Sequence, residues 1–150
     1  MQNNRDVNIE INTRELCGAV KGGNLAIVDS LLQNPEVDVN GEDGADGATP
    51  LIIAVRSGHQ AIVRRLLQHP GIRLGKERGN GLTAFNIACL LNDVSIMKLL
   101  CQDRRFSPGI INKKNSNGDT PLMFAVYWGH LDIVKELDRE GTDFFLLAEL

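Results

Sequence analysis

The chain is 150 residues long, 43% hydrophobic and 23% charged, with a formal net charge of −3 at pH 7. That length suits a single domain, residues 1–150, able to bury roughly two thirds of the surface its unfolded chain would expose. Near-average composition excludes wholesale disorder, and mild acidity argues against a protein built to grip a nucleic-acid backbone. The opening Met1-Gln-Asn-Asn-Arg-Asp is polar and carries no signal-peptide core. The longest apolar run, Leu122 to Trp128, is far short of the ~20 residues a membrane span needs. Three cysteines, Cys17, Cys89 and Cys101, lie in no CxxC spacing. They point to reduced thiols and a cytoplasmic or nuclear setting.

A register repeats along the chain. It starts at Arg14, Thr49, Thr83 and Thr120. Five positions later stands an alanine each time: Ala19, Ala54, Ala88 and Ala125. Nine positions later stands a turn residue: Gly23, Gly58, Asn92 and Gly129. An aliphatic pair follows: Ile27-Val28, Ile62-Val63, Ile96-Met97 and Ile133-Val134. Each unit predicts a helix opened by a Thr cap with Pro at its first position, as at Thr49-Pro50 and Thr120-Pro121. In the second unit Leu51, Ala54 and Val55 share one face, and Gly58 ends the helix. A second helix follows, with Ile62, Val63, Leu66 and Leu67 inward. Helices this short, apolar on one side only, are stable only when units stack. Asp46-Gly47, Asn80-Gly81 and Asn117-Gly118 precede the threonines, and as two-residue turn signals they predict hairpin-like fingers. The junction from Asp103 to Asn115 is long and predicts an extended finger.

The period, the Thr-Pro-Leu motifs, Gly58-His59, Gly129-His130 and the Asp38-Val39-Asn40 ending resemble ankyrin repeats over about residues 13–143. The resemblance implies an all-α solenoid of helix-turn-helix units at about 13–46, 47–80, 81–117 and 118–143, followed by an apolar segment 144–150. That segment is expected either to pack on the last repeat as a helix or to mark the edge of a longer chain. The histidine usual after Thr-Pro-Leu is replaced by Cys17, Ile52, Asn86 and Met123.

Catalytic constellations fail inspection. His59 and His130 fall at the Gly-His position, where the resemblance implies hydrogen bonds between loops and helices. His69 stands alone before Pro70, and no histidine has metal-ligand spacing. The cysteines read as small apolar residues on inner faces. The acidic stretch Asp38 to Gly44 lacks the glycine and terminal glutamate of a calcium loop. Its glycines are followed by no phosphate-binding lysine. Neither enzyme activity, nor a metal, nor a cofactor is expected.

Three surface features remain. Lys98, Arg104, Arg105, Lys113 and Lys114 make residues 98–114 basic, which steers an acidic protein or, less favourably, meets nucleic acid through 104–114. Asn40 sits in a pattern resembling that of an ankyrin-directed asparagine hydroxylase, and Ser107, in Arg104-Arg105-Phe106-Ser107-Pro108, matches a basophilic-kinase site. The resemblance places partner binding seven and eight positions after the register start: Lys21-Gly22, Arg56-Ser57, Leu90-Leu91 and Tyr127-Trp128. Tyr127 and Trp128, the only residues of their types, are expected anchors beside Leu90 and Leu91. Arg56 is expected to pair an acidic group of the partner. Asp46, Asn80, Leu82, Asn117 and Asp119 are expected as the rim. The expected function is a non-catalytic module that binds another protein through a concave face. The alternative is a recognition domain within a larger protein such as a ubiquitin-ligase adaptor, receptor, channel or kinase.

Overall fold

The computed structural model describes residues 4–142. The segment 144–150 lies outside them. The helices are α1 (Asn4–Lys21), α2 (Leu25–Leu32), α3 (Pro50–Arg56), α4 (Gln60–Leu67), α5 (Ala84–Leu90), α6 (Val94–Cys101), α7 (Pro108–Ile111), α8 (Pro121–Tyr127) and α9 (Leu131–Arg139). They form two rows. In the inner row α1, α3, α5 and α8 touch in succession; in the outer row α2, α4, α6 and α9 do the same. Among the described residues there is no sheet, only isolated antiparallel bridges at Asp43–Ala48 and Glu77–Thr83. The chain is an all-α solenoid.

Local chemistry accounts for each unit. Thr49, Thr83 and Thr120 accept through their hydroxyls from the backbone N–H of Ile52, Asn86 and Met123. These bonds satisfy donors that a helix start leaves orphaned. At the other end Gly23, Gly58, Asn92 and Gly129 all take positive φ. The next residue's N–H then reaches back to the repeated alanine: Asn24 to Ala19, His59 to Ala54, Asp93 to Ala88 and His130 to Ala125, at 2.8–3.0 Å. With the glycine N–H bonded one turn lower, this is the Schellman closure. The alanine thus serves twice, as the small contact between helices and as the acceptor that ends its own.

Four expectations need correction. The first helix begins at Asn4, ten positions before Arg14, because nothing in residues 4–13 breaks a helix. Its Thr13 is buried, its hydroxyl accepting from the Asp38 N–H at 3.3 Å. The inner helices of the middle units are not one-sided: α3 buries every residue from Pro50 to Val55. Neighbours on both flanks and a partner helix behind leave it no wet face. The finger turns place only their glycines at positive φ. Gly81 N–H donates to Arg78 O and Arg78 N–H to Leu82 O, a pattern repeated by Gly118 with Asn115 and Asn115 with Asp119. These turns are therefore three-residue loops closed by a left-handed glycine rather than two-residue mirror turns. Finally, the long junction is not an extended finger. Pro108 opens α7, Ile111 is buried, and Phe106 lies on Phe85 with ring centroids 4.9 Å apart. Apolar residues spaced along the junction fold it back onto the core.

The fingers are laced to one another. Gly79 N–H donates to Asp46 O at 2.7 Å and Ser116 N–H to Asn80 O at 3.0 Å. A Cβ added at Gly81, φ +77, would come within 2.8 Å of the Ser116 nitrogen, whereas one at Gly118, φ +86, meets nothing within 4 Å. Gly118→Ala is expected to cost ~1–2 kcal/mol of backbone strain alone. Gly81→Ala should cost clearly more, because it also parts two fingers. Urea unfolding of the two variants side by side checks this, and equal losses would deny the lacing any energetic weight.

Candidate functional site

The Schellman closure determines what is exposed. Its C-cap residue lies where the helix ends and the chain turns, so its side chain leaves the packed layer. Leu91 and Trp128 are the C-caps of α5 and α8. They occupy the same register position in adjacent units, and they are 50% and 59% exposed. Tyr127, 76% exposed, meets Trp128 edge to face with centroids 5.1 Å apart. Asp119, Met123, Phe124, Tyr127 and Trp128 line a cavity of about 230 Å³. Leu90 is only half-buried, and its carbonyl is bonded to His130 Nε2 at 3.0 Å. His59 Nε2 makes the same bond to Lys21 O at 3.3 Å. The Gly-His histidines therefore tie each second helix to the preceding inner one. Their rings serve the fold.

The residues expected as a rim divide. Asn117 is exposed and Asp119 half-buried; Asn115 Oδ1 accepts from both of their backbone N–H groups at 2.9 Å. Asn80 is exposed, yet its Oδ1 accepts from Leu82 N–H at 3.2 Å. Leu82 is not on the rim: at 7% exposure it belongs to the core, drawn inward because it enters the helix that Thr83 caps. Asp46 and Arg56 engage each other. Arg56 Nη1 donates to Asp46 Oδ2 at 3.0 Å, and Arg78 Nη2 lies 3.3 Å from the same oxygen. The Arg56 bond holds the Asp46 carboxyl below the ordinary carboxylate range. Arg56 already has its acid within the chain.

Charge that looked segregated in sequence is matched in space. The acidic stretch meets bases from its own and the next unit: Asp43 with Lys21 at 2.5 Å and Glu42 with Lys76 at 3.4 Å. The basic stretch meets acids in turn: Lys98 with Glu136 and Lys113 with Glu77. Asp29 and Arg65 bridge α2 and α4. Arg105 is the most committed cation. Its Nε and Nη2 clasp the two Asp103 oxygens at 2.8 and 2.7 Å. Nη2 also donates to Leu67 O and Nη1 to His69 O, at 2.6 and 2.9 Å. Arg105 therefore plugs the carbonyl end of α4, where cationic donors are favoured. A basic finger offered to phosphates is not what this geometry presents.

The two residues expected as modification sites differ. Asn40 Nδ2 donates to Gly71 O at 2.7 Å and its Oδ1 accepts from Arg73 N–H at 2.9 Å. That clamp joins the first unit to the second. Ser107 is exposed and caps nothing with its side chain. Arg105, two residues before it, is held in the plug.

Burial pushes the Cys17 and Cys101 thiols up to about 12, and that of Cys89 well above its ordinary value. Such thiols hold no thiolate near neutral pH. Among the described residues no cluster of His, Cys, Asp and Glu is placed to hold a metal ion. Nor is any helix among them long and apolar enough to cross a membrane. Sequence reasoning missed Val126 and Leu131, both exposed. Val126 has the register position of buried Val55, so pattern alone assigns it to the core.

A family model described as ankyrin repeats (3 copies) matches residues 16–109 and 71–146. No curated protein matches the chain.

The plug predicts a pH signature. The bonds from Arg105 hold the Asp103 carboxyl below its ordinary range. A carboxyl depressed in the folded state stabilises above its unfolded pKa, and that stabilisation is lost as pH falls from ~4 downward. Arg105→Ala should lose about 2–3 kcal/mol at pH 7 and show a shallower acid loss below pH ~4. Arg105→Lys should recover little, since a lysine cannot span both oxygens and the carbonyls. Urea midpoints from pH 7 to 3 check this; an unchanged midpoint in Arg105→Ala would reduce the plug to a surface pair.

Proposed function

The chain belongs to the ankyrin repeat family, and from that premise we propose that it is a non-catalytic module holding a partner protein on the face where the inner helices end. Ankyrin repeats are generally protein–protein interaction modules. The observation that carries the reading here is the Tyr127–Trp128 pair. Two large rings stand in solvent, locked edge to face, beside the exposed Leu91 of the preceding unit. Leaving such a patch wet is costly, and aromatic anchors dominate the energetics of interfaces.

Mechanistically, the rings are positioned before the partner arrives. They sit on helix ends held by Thr caps, Schellman bonds and the His130 bridge to Leu90 O. Association then orders few groups, so more of the contact energy survives as affinity. The cavity between Met123, Phe124, Tyr127 and Trp128 suits one apolar side chain of the partner. Asp119 at its edge favours a neighbouring N–H donor or cation. Arg56, paired with Asp46, contributes only where a partner carboxylate outcompetes that bond.

A folded Trp128→Ala variant should weaken binding by ~2 kcal/mol or more, about thirtyfold, if the ring is a hot spot. The partner is first obtained by comparing what wild type and a Tyr127→Ala/Trp128→Ala variant retain from lysate. The loss of affinity is then measured by calorimetry. Equal retention, or equal affinity of the two proteins, would move the binding surface elsewhere.

A further inference from the structure

Asparagine followed by glycine occurs three times, at Asn40-Gly41, Asn80-Gly81 and Asn117-Gly118. The pair is chemically labile, because a glycine has no Cβ to keep its nitrogen from the asparagine side-chain carbonyl carbon. The structure treats the three copies differently. The Asn40 amide is bonded at both ends, Nδ2 to Gly71 O and Oδ1 to Arg73 N–H. At Asn80 the Oδ1 accepts from Leu82 N–H, and the carbonyl accepts from Ser116 N–H of the next finger. Gly81 is hemmed in by that same finger. Asn117 stands apart. It is exposed, and among the described residues no hydrogen bond engages its side-chain amide. A Cβ at Gly118 would meet nothing within 4 Å.

We propose that Asn117 is a site of spontaneous deamidation, which turns this finger tip from a neutral amide into a carboxylate. The Gly118 nitrogen, once hydroxide has taken its proton, attacks Asn117 Cγ. The N–Cγ bond forms, the Cγ–Nδ2 bond breaks, and Nδ2 leaves as ammonia with a proton from water. Water then opens the cyclic imide at either carbonyl, giving aspartate or isoaspartate. The net change is gain of water and loss of ammonia, with nothing oxidised or reduced. Ring closure turns the asparagine Cα–C bond and swings its carbonyl. At Asn80 that would part the bond to Ser116, and at Asn40 the side chain must first leave two partners. At Asn117 the step has to open the turn bond from Gly118 N–H to Asn115 O, a bond that Gly41 and Gly81 also make, to Asp38 and Arg78. The isoaspartate product lengthens the main chain of the loop. Asn115 Oδ1 spans that loop, accepting from Asn117 and Asp119 N–H, and Asp119 lines the cavity beside Tyr127 and Trp128. The reaction needs no partner, so it goes beyond the binding reading, while its product alters the rim of the proposed binding face.

The test follows the full chain in mildly alkaline buffer, folded and in urea, with the proteolytic peptides of timed aliquots read by mass spectrometry. In urea the three pairs should react at comparable rates, each in proportion to hydroxide. In the folded chain every hydrogen bond that must open first lowers the reactive fraction ~3–10-fold. Asn117 is therefore expected to outpace Asn80 by ~3-fold or more and Asn40 by ~10-fold or more. Its peptide should appear as two products of equal mass, the aspartyl and isoaspartyl forms. An Asn117→Gln chain, whose longer side chain closes the ring far more slowly, should stay as stable as wild type and form acidic species more slowly on isoelectric focusing. Equal rates at the three sites of the folded chain would overturn the proposal, and so would a faster reaction at Asn40 or Asn80. An Asn117→Gln chain that acidifies as fast as wild type would overturn it as well.

Discussion

The stack depends on one constraint: an inner helix of seven residues is stable only when neighbouring helices pack against it. Helices this short are marginal in water whatever their composition. α3 resolves this by burying all six residues from Pro50 to Val55 between α1, α5 and its own outer helix. Burial on that scale requires small contacts and abrupt ends, which the repeated alanine and the left-handed residue nine positions into the register supply. The polar chemistry follows from the same constraint. Threonine hydroxyls, the Asn40 clamp and the Arg105 plug all satisfy backbone groups that close stacking removes from water.

What could be read in the sequence was what is decided locally. A threonine cap, an alanine acceptor and a glycine of positive φ act within one turn of themselves, so their spacing revealed the units and their order. Residues governed by distant partners are not legible in this way. Leu82 looked like a finger residue because its burial is set by the units stacked around it. Arg105 looked like part of a basic run, since the carbonyls it holds belong to Leu67 and His69, more than thirty positions away. Val126 carries the residue type of a buried position, and only the position of its unit in the stack exposes it. The long junction reads as extended in sequence because its helical turn is four residues, too short for periodicity to register.

Electrostatics follows the same division. In sequence the acids of residues 36–46 and the bases of 98–114 are far apart. The solenoid gives each stretch its counter-ions from elsewhere in the chain: Lys21 with Asp43 inside the first unit, and Glu42 with Lys76, Glu77 with Lys113 and Lys98 with Glu136 between adjacent units. Exposed pairs of this kind contribute little individually to stability. Their larger effect is to leave the finger side without a strong field of either sign, so long-range attraction of a polyanion is weak there.

That balance bears on where affinity can reside. Along the row of inner-helix ends the side chains pass from Lys21 to Arg56 to Leu90-Leu91 to Tyr127-Trp128. The two cations are neutralised by Asp43 and Asp46, so a partner must break an internal bond to use either. Among the described residues the aromatic side chains have no charge or hydrogen-bonding duty to surrender, and the rings lose little conformational entropy on contact because each already braces the other. A partner therefore meets a surface graded from self-satisfied to unsatisfied. The gain per residue is greatest at the fourth unit, which is also the unit with an uncovered apolar flank at Val126 and Leu131. Stability and recognition meet in α8: whatever fixes its flank also fixes the angle at which Tyr127 and Trp128 are presented.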